Sequence, residues 1–377
     1  MPLVVAICMS ENPNAFKHMI GAELLARIAA SLQKSLPAFD KQQLLSLLPE
    51  LLKRELKQRV SLIREELRRQ LPTDFPTAIR IILASLKLGN LRGFDLWPYT
   101  EFIQTYGLEH PEISLEGLRK LTPLFTSEFA VRPFLIKHRR QTLAYLLNAT
   151  KDKDVHVRRW ASEGTRPRLP WGERLDEFVK EPTLTLAILE KLKNDSELYI
   201  RKSVANHLND IAKDHPQLVL SKLKSWQKSA NQKTAPNINW IVRHALRSLI
   251  KSGNREALKL IGATANPQIS LNRFTLKKYQ LEINEYLSFE FEICSSSNKK
   301  QKLVVDYIIY FRMANNKISP KVFKLKTFDI DPKATFKIKK NHHMKLITTR
   351  RYYPGEHFVE IQVNGKPYAK SKWHLKR

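Results

Sequence analysis

The chain is poor in cysteine and glycine. Its two cysteines, Cys8 and Cys294, lie far apart in sequence, which fits a reducing compartment better than a disulfide framework. The 11 glycines form no phosphate-binding loop, so nothing supports a nucleotide cofactor. The 11 histidines are scattered, and the closest pair, His342 and His343, has no CxxC or HxxxH pattern beside it. We therefore expect neither a cofactor nor a metal ion.

Long apolar runs are also missing. The opening MPLVVAIC has a short apolar run without the basic segment of a secretory signal, and Met9 is an alternative start. No apolar stretch is long enough to cross a bilayer, and no basic amphipathic helix ends the chain. We predict a flexible extension over residues 1–14 and no membrane association.

Acidic residues are in short supply. The 377 residues include 65 Lys and Arg against 36 Asp and Glu, which gives a formal net charge of +29. The excess is spread over both the N-terminal and the C-terminal parts of the chain. Because lysine and arginine displace the counterions condensed on nucleic acid, this balance favours a nucleic-acid partner. An anionic membrane is the less favoured alternative.

Apolar residues recur at helical spacing from about residue 16 to residue 262. Three segments in this part superpose with a period of about 42 residues, which is typical of paired-helix HEAT-like repeats. They are DKDVHVRRWASEG from residue 152, DSELYIRKSVANHL from residue 195 and NINWIVRHALRSLI from residue 237. This part of the chain is therefore predicted to be an α solenoid.

The repeat register aligns residues of two kinds. It aligns three candidates for the N-cap of the second helix of each repeat: Asp152, Asp195 and Asn237. It also aligns three arginines about two turns further on: Arg158, Arg201 and Arg243. Stacked repeats would place these arginines in a row that follows a phosphate backbone. The alternative is that they form salt bridges that stabilise the repeats.

Helical periodicity ends near ATANPQ (263–268). In YLSFEFEIC (286–294), Phe289, Phe291 and Ile293 alternate with polar residues, as in a half-buried strand. VVDYIIYF, ATFKIKK and EHFVEIQVNGK also predict strands, and Asn364-Gly365 predicts a hairpin. About seven short strands favour a small all-β immunoglobulin-like sandwich. We expect the solenoid over residues 15–264 and the sandwich over residues 265–377.

Two basic segments of the predicted sandwich are interpreted as loops, KKNHHMK (339–345) and TTRRYYPGEH (348–357). Their lysines, arginines and histidines would contact nucleic acid. The alternative is a surface that only keeps the protein soluble.

The most informative stretch is DVHVRRWASEGTRPRLPWG, residues 154–172. Its arginines can each pair with a phosphate: Arg158, Arg159, Arg166 and Arg168. Trp160 and Trp171 offer flat apolar faces, and Glu163 is the carboxylate among them. An acid inside a cationic and aromatic surface indicates chemistry on a polyanion.

Two further acids are placed near Glu163. The repeat alignment puts Asp210 one turn after the residue equivalent to Glu163, so carboxylates from neighbouring helices would converge on one groove. Glu128, in LTPLFTSEFAVRPFL, is a third acid at the predicted start of the preceding helix. Each has a structural alternative: Glu128 would complement a helix dipole, Glu163 would pair with Arg159, and Asp210 would cap or pair near a basic turn.

Carboxylates repel phosphate, so they are useful in a cationic groove only when positive charge develops on the ligand. Cleavage of an N-glycosidic bond creates an oxocarbenium-like sugar, and an alkylated purine is already cationic. Carboxylates can stabilise that cation and orient or deprotonate water, while a tryptophan packs against the deoxyribose. Glycoside hydrolysis offers the chemical analogy.

The segments SEFAVRPFL, RRWASEGTRPRLPWG, LYIRKSVANHLNDIAKDHP and INWIVRHALRSLIKSGN occur in an order and spacing that resemble the AlkC-type DNA alkylation-repair glycosylases, relatives of the AlkD HEAT-like-repeat enzymes. The resemblance covers roughly residues 14–262. The basic sandwich is similar in type to the immunoglobulin-like domain appended to some members.

The resemblance implies a bacterial cytoplasmic, nucleoid-associated enzyme that excises N3-methyladenine and N3-methylcytosine from duplex DNA without flipping the base, and leaves an abasic site. It implies a lesion site formed by Glu128, Arg159, Glu163, Trp171 and Asp210. We assign catalysis to Glu128, Glu163, Asp210 and Trp171. We assign DNA binding to the basic residues Arg158, Arg159, Arg166, Arg168, Arg201, Arg243, His244 and Arg247. A monomer that embraces double-stranded DNA is expected.

Two other functions compete. A non-catalytic HEAT-repeat scaffold that binds nucleic acid or an acidic protein explains the charge but not the clustering of Glu163, Trp171 and Asp210. A base-flipping RNA-modifying enzyme lacks a recognisable cofactor or metal motif.

Overall fold

The structure, a computed structural model, describes residues 15–347 and 350–376. The predictions for residues 1–14, including Cys8, the Met9 start and the flexible extension, lie outside the described residues, as do residues 348 and 349 of the second basic segment. Over the described part of the chain, no helix is long and apolar enough to cross a bilayer. The chain forms two compact units, one ending at Asp210 and one beginning at Ile211.

The first unit is helical. Its α-helices are α1 (Ala22–Ser35), α2 (Lys41–Leu45), α3 (Leu48–Leu52), α4 (Leu56–Gln70), α5 (Phe75–Gly89), α6 (Trp97–Tyr106), α7 (Pro111–Leu121), α8 (Arg132–Lys137), α9 (Arg139–Ala149), α10 (Val155–Gly164), α11 (Asp176–Lys180), α12 (Thr183–Leu192) and α13 (Leu198–Ile211). Short 3₁₀ helices span Phe16–Met19 and Gly93–Leu96. Some helix starts carry a side-chain cap: the Asp74 carboxylate accepts the Thr77 backbone N–H at 2.9 Å before α5.

The predicted N-caps of the repeats are wrong. The cap of α10 is Asp154, whose carboxylate accepts the backbone N–H groups of His156 and Val157 at 2.8 and 3.2 Å. Asp152 instead accepts the Asp154 N–H, and Asp195 likewise accepts the Glu197 N–H just before α13. Asn237 lies inside the helix Ala235–Ala245. The aligned residues therefore shape the turn before the helix in two repeats and have no capping role in the third.

The second unit combines helices with a β-sandwich. Its helices are α14 (Pro216–Ser229), α15 (Ala235–Ala245), α16 (Arg247–Lys251) and α17 (Arg255–Leu260). Its strands are β1 (Ile269–Leu276), β2 (Gln280–Leu281), β3 (Tyr286–Ser295), β4 (Gln301–Arg312), β5 (Ile318–Ile330), β6 (Thr335–His343), β7 (Gly355–Val363) and β8 (Lys366–Leu375). One sheet has the order β1-β3-β6, and the other β2-β8-β7-β4-β5. The predicted fold class, a helical repeat part followed by a sandwich, is confirmed.

Alternate side chains of β3 are buried, as the sequence predicts. Phe289, Phe291 and Ile293 are buried in the sandwich core together with the β4 residues Val305 and Ile309. Asn364 and Gly365 both have positive φ, 47° and 78°, and join the antiparallel strands β7 and β8 as a hairpin. The interpretation of 339–345 and 348–357 as loops is wrong in part, since β6 continues to His343 and β7 begins at Gly355.

Candidate active site

Helix α10 presents Glu163 to the interior of the first unit. Val157, Trp160 and Ala161 bury one face of this helix, and the Trp160 indole N–H donates to the Ser127 carbonyl at 3.1 Å. Trp160 is completely buried, so the expectation that it offers an open apolar face is wrong. Its packing fixes the last turn of α10, where Glu163 is only 5% exposed.

Arg166 lies between two carboxylates. It follows the end of α10, where its guanidinium donates through Nη1 to Glu163 Oε1 at 2.6 Å and through Nε to Asp210 Oδ2 at 2.8 Å. Asp210 comes from α13 and is 3% exposed, and Arg166 is 7% exposed. Burial alone would lower the pKa of Arg166, but the neighbouring Glu163 and Asp210 carboxylates outweigh it and raise that pKa. The two acids predicted to converge are thus held together by one arginine.

The second oxygen of Glu163 is also bound. Ser203 on α13 donates its hydroxyl to Glu163 Oε2 at 2.5 Å, and its oxygen lies 3.1 Å from the Ser162 hydroxyl. Since both carboxylate oxygens have partners from different segments, the Glu163 side chain is fixed in one orientation. A carboxylate that must act on one bond needs this kind of support.

Glu128 joins the same cluster through Arg159. It lies in the turn before α8, where it accepts the Thr126 hydroxyl at 2.8 Å and Arg159 Nη1 at 2.5 Å. Arg159 Nη2 is 3.5 Å from Glu163 Oε1, and its guanidinium covers the Tyr199 ring at 5.0 Å. Burial would lower the Arg159 pKa, but the Glu128 and Glu163 carboxylates raise it overall. Because α8 begins at Arg132, the predicted place of Glu128 at a helix start is wrong.

We call Glu128, Arg159, Glu163, Arg166 and Asp210 the acid–arginine cluster. Each of its three carboxylates is paired with a guanidinium group, inside a protein whose net charge is +29. The i, i+4 pair of Arg159 and Glu163, one of the structural alternatives, is present as part of this larger arrangement. A group of three carboxylates suits a cationic ligand better than a phosphate.

Sequence reasoning missed Arg132, which organises the loop after α10. This completely buried arginine donates Nη1 to the carbonyls of Gly164 and Arg166, each at 2.9 Å, and Nε to the Glu173 carbonyl. Its Nη2 has no hydrogen-bond partner among the described residues. Burial lowers the pKa of Arg132 to about 10, so it stays charged at neutral pH. The signal in the sequence, an arginine in SEFAVRPFL, does not reveal this role.

Trp171 lies on the loop held by Arg132 and is 64% exposed. Its φ of 66° is unusual for a bulky residue, and its carbonyl accepts Lys57 Nζ at 2.9 Å. The indole meets the edge of Phe16 at 6.2 Å. Trp171 also lines an open cavity of about 180 Å³ with Trp97, Phe129 and Glu101, and burial raises the pKa of that glutamate. An aromatic face is therefore presented at the surface.

His207, on α13, contacts the backbone of α10 next to Glu163. It is completely buried, with Nδ1 3.0 Å from the Ser162 carbonyl and Nε2 3.2 Å from the Thr185 hydroxyl. Burial lowers its pKa to about 3, so it is neutral near pH 7. A neutral buried histidine here positions the backbone next to Glu163.

The other predicted DNA-binding residues differ in how they are engaged. Arg158 pairs with Asp195 at 2.7 Å and donates to the carbonyls of Asp152 and Lys153, and Arg201 donates to the carbonyls of Asp195 and Ser196. In these two repeats the salt-bridge alternative describes the contacts better than a free row of cations does. The remaining members are exposed or half-buried: Arg168, Arg243, His244 and Arg247. His244 stacks on Trp240 at 4.9 Å, and Arg247 donates to the His244 carbonyl at 2.7 Å.

Among residues 15–347 and 350–376, no three His, Cys, Asp or Glu side chains are grouped so that they could hold a metal ion. Cys294 is a free, half-buried thiol.

Comparison with known proteins places these features in a class. Residues 126–257 match the family described as DNA alkylation repair enzyme, and residues 270–377 match the C-terminal Ig-like domain of the uncharacterised protein YhaZ. The first match contains every member of the acid–arginine cluster. The class is that of DNA alkylation-repair proteins built from helical repeats with an added Ig-like domain.

Two full-length relatives define the family more closely. The uncharacterized protein YhaZ of Bacillus subtilis is 36% identical over 355 residues, which cover 93% of this chain and 96% of that protein. The solved alkylpurine DNA glycosylase AlkC of Pseudomonas fluorescens, bound to DNA that contains an abasic-site analog, is 38% identical with a TM-score of 0.90, and the match covers 96% of this chain and 100% of that one. The chain belongs to the AlkC-type family.

Proposed function

We propose that this protein is a monofunctional DNA glycosylase that hydrolyses the N-glycosidic bond of cationic alkylated bases, N3-methyladenine and N3-methylcytosine, in duplex DNA. The observation that carries the proposal is the acid–arginine cluster, which gathers three buried carboxylates inside a strongly basic protein. Similarity to an alkylpurine glycosylase bound to DNA supports the substrate class. DNA as partner and a nucleoid-associated cytoplasmic location belong to the same proposal.

The cluster suits a transition state with positive charge on both sugar and base. As the bond to an N3-alkylated base breaks, the sugar becomes oxocarbenium-like, and the carboxylates of Glu163, Asp210 and Glu128 stabilise that charge without moving, because each is already held by hydrogen bonds. Neutral bases leave poorly and are not attracted to the acids. Selectivity therefore comes from the charge of the lesion.

Water is the nucleophile in this proposal. A carboxylate orients it and accepts its proton as it attacks the anomeric carbon, and the base departs. No lysine Schiff base is formed, so the product is an abasic site on an intact strand. The exposed face of Trp171 packs against the deoxyribose at the protein surface, which suits a lesion that stays in the duplex rather than one that enters a deep pocket.

The test incubates the full-length protein with methylated duplex DNA in EDTA and measures released bases by chromatography. We expect N3-methyladenine and N3-methylcytosine in the supernatant and abasic sites without strand breaks. If DNA binding is intact but no base is released, the protein is the non-catalytic scaffold. Strand cleavage concurrent with base release would contradict the monofunctional mechanism.

A further inference from the structure

The second unit contains a rigid joint between its last helices and the five-stranded sheet. Asn364 at the β7–β8 turn donates to the Thr264 carbonyl at 2.8 Å and accepts the Val304 N–H at 2.6 Å. Gly253 and Gly365, both with positive φ, approach so closely that a Cβ on Gly253 would lie 2.9 Å from the Gly365 backbone. Features that lie in this joint are therefore preformed.

A cavity of about 120 Å³ lies in this joint. Its polar lining comprises Thr327, the acid Asp306 and five cationic residues: Arg243, Arg247, Lys251, Lys302 and Lys324. Ile250, Ile261 and Val304 form its apolar wall. Since one water molecule needs about 10–15 Å³ of accessible volume, the cavity has room for a tetrahedral oxyanion. We call it the cationic cavity.

Asp306 is the acid that lines this cavity. It is 2% exposed, and its carboxyl makes no hydrogen bond or ion pair with any residue that the structure describes. The register of β4 against β5 shifts between Val305 and Asp306, a bulge of the kind that redirects a side chain. Burial raises the Asp306 pKa to about 6, although Lys251 and Lys324 lower it. A carboxyl without a protein partner must be satisfied by water, by a ligand or by a proton.

The cationic residues would bind an anion, and the Asp306 carboxyl would accept a hydrogen bond from a donor on that anion. We propose that the cationic cavity binds a phosphate monoester, with one proton shared between the phosphate and Asp306. A monoester has a second ionisation near pH 6, so it carries a P–OH group at a pH where a diester and sulfate have no proton to share. The lysines and arginines bind the other oxygens.

Free orthophosphate and a terminal phosphate of nucleic acid present the same chemistry. The proposal does not depend on glycosylase activity, because binding is measured without any lesion. If base release fails but phosphate binds, only the proposed function is lost.

The first experiment titrates the full-length protein with sodium phosphate or sodium sulfate at matched ionic strength by calorimetry. We expect phosphate to bind at least about tenfold more tightly than sulfate, the difference one hydrogen bond to a charged group makes. Lys324→Gln should weaken phosphate binding at least about tenfold, whereas Lys299→Gln, an exposed lysine outside the cavity with the same charge change, should alter it less than about twofold. Equal binding of the two anions, or equal effects of the two substitutions, overturns the proposal.

Asp306→Asn tests the shared proton. The amide keeps the shape of the side chain and donates to either anion, so the preference for phosphate over sulfate should disappear. Thermal unfolding of the variant checks that it is folded, and Lys324→Gln decides the matter if it is not. A folded Asp306→Asn protein that still prefers phosphate overturns the role of Asp306.

Competition with DNA identifies the source of the phosphate. If orthophosphate weakens binding of a duplex with 5′-phosphates but not of one with 5′-hydroxyls, at constant ionic strength, the terminal phosphate occupies the cavity. If it binds without affecting either duplex, the free ion is the ligand. Equal displacement of both duplexes would place a backbone diester in the cavity and overturn the monoester proposal.

Discussion

In the acid–arginine cluster of the first unit, three carboxylates are held by two arginines. In the cationic cavity of the second unit, five cationic residues and a single carboxyl line the same space. Both lie in a chain with a net charge of +29, yet one site is suited to a cation and the other to an anion. Total charge therefore predicts the partner of the whole protein, whereas the local balance of paired charges predicts the ligand of each site.

The largest expected effect is on the free energy of unfolding, when the acid–arginine cluster loses one of its arginines. Arg166→Met leaves the buried Glu163 and Asp210 carboxylates without their shared partner, which should lower the free energy of unfolding by about 3–5 kcal/mol. Urea denaturation followed by circular dichroism measures it. Arg174→Met is the control, because Arg174 pairs with Asp176 at the surface and its loss should cost less than about 1 kcal/mol. Equal losses would mean that the cluster is not charge-coupled.

The next effect is on base release. Glu163→Gln and Asp210→Asn keep side-chain shape but remove negative charge, so each should slow excision at least about tenfold, near 1.4 kcal/mol of transition-state stabilisation, without weakening DNA binding. Single-turnover release of N3-methyladenine measures the rate. Glu177→Gln, an exposed partner of Arg139, serves as control. Full activity in both cluster variants would remove these acids from the site.

Acid should weaken the first unit through His207. The pKa of this histidine is about 3 when folded and near 6.5 when unfolded, so between these values only the unfolded chain takes up the proton. The stability contribution is thus present above pH 6.5 and is lost as pH falls, with a slope of about 1.4 kcal/mol per pH unit. His207→Asn should remove this part of the pH dependence, and the exposed His18→Asn should not. Unchanged slopes between pH 6 and 4 would contradict the assignment.

The smallest effect distinguishes paired from unpaired arginines. Arg158→Gln should leave the salt dependence of DNA binding unchanged, because Asp195 and two carbonyls already engage Arg158. Arg243→Gln should reduce the log–log salt slope by about 0.9 if this exposed arginine neutralises one phosphate. Fluorescence anisotropy at several salt concentrations gives both slopes. If both substitutions reduce the slope, the row of phosphate-binding arginines from the repeat alignment is restored.

The spacing of apolar residues was sufficient to predict the architecture. A helix or strand that buries one face must place apolar residues at a regular interval along the chain. Strand β5 was missed because its residues are mostly exposed on both faces, so its sequence has no alternation of apolar and polar residues. The sequence also could not distinguish Trp160 from Trp171. One belongs to the buried face of α10, and the other lies on a loop whose conformation depends on Arg132, about 40 residues earlier.

The acids were predictable as candidates, since the repeat alignment placed Glu163 and Asp210 near each other. The role of Arg166 was not, because its partners lie on either side of it in sequence and only the loop after α10 brings it between them. The role of Asp306 could not be predicted from the sequence either. Its orientation follows from a bulge that one extra residue in β5 creates.

The contact between Gly253 and Gly365 has a consequence for how this chain can be divided. Two backbones touch where neither has room for a methyl group, so the helical side and the sandwich side of the second unit can change there only together. A truncation at residue 265 would cut through this contact and uncover Leu258 and Ala263, which pack with Val304. A protein engineer who wishes to move the sandwich to another enzyme should carry helices α14–α17 with it, as one transferable part.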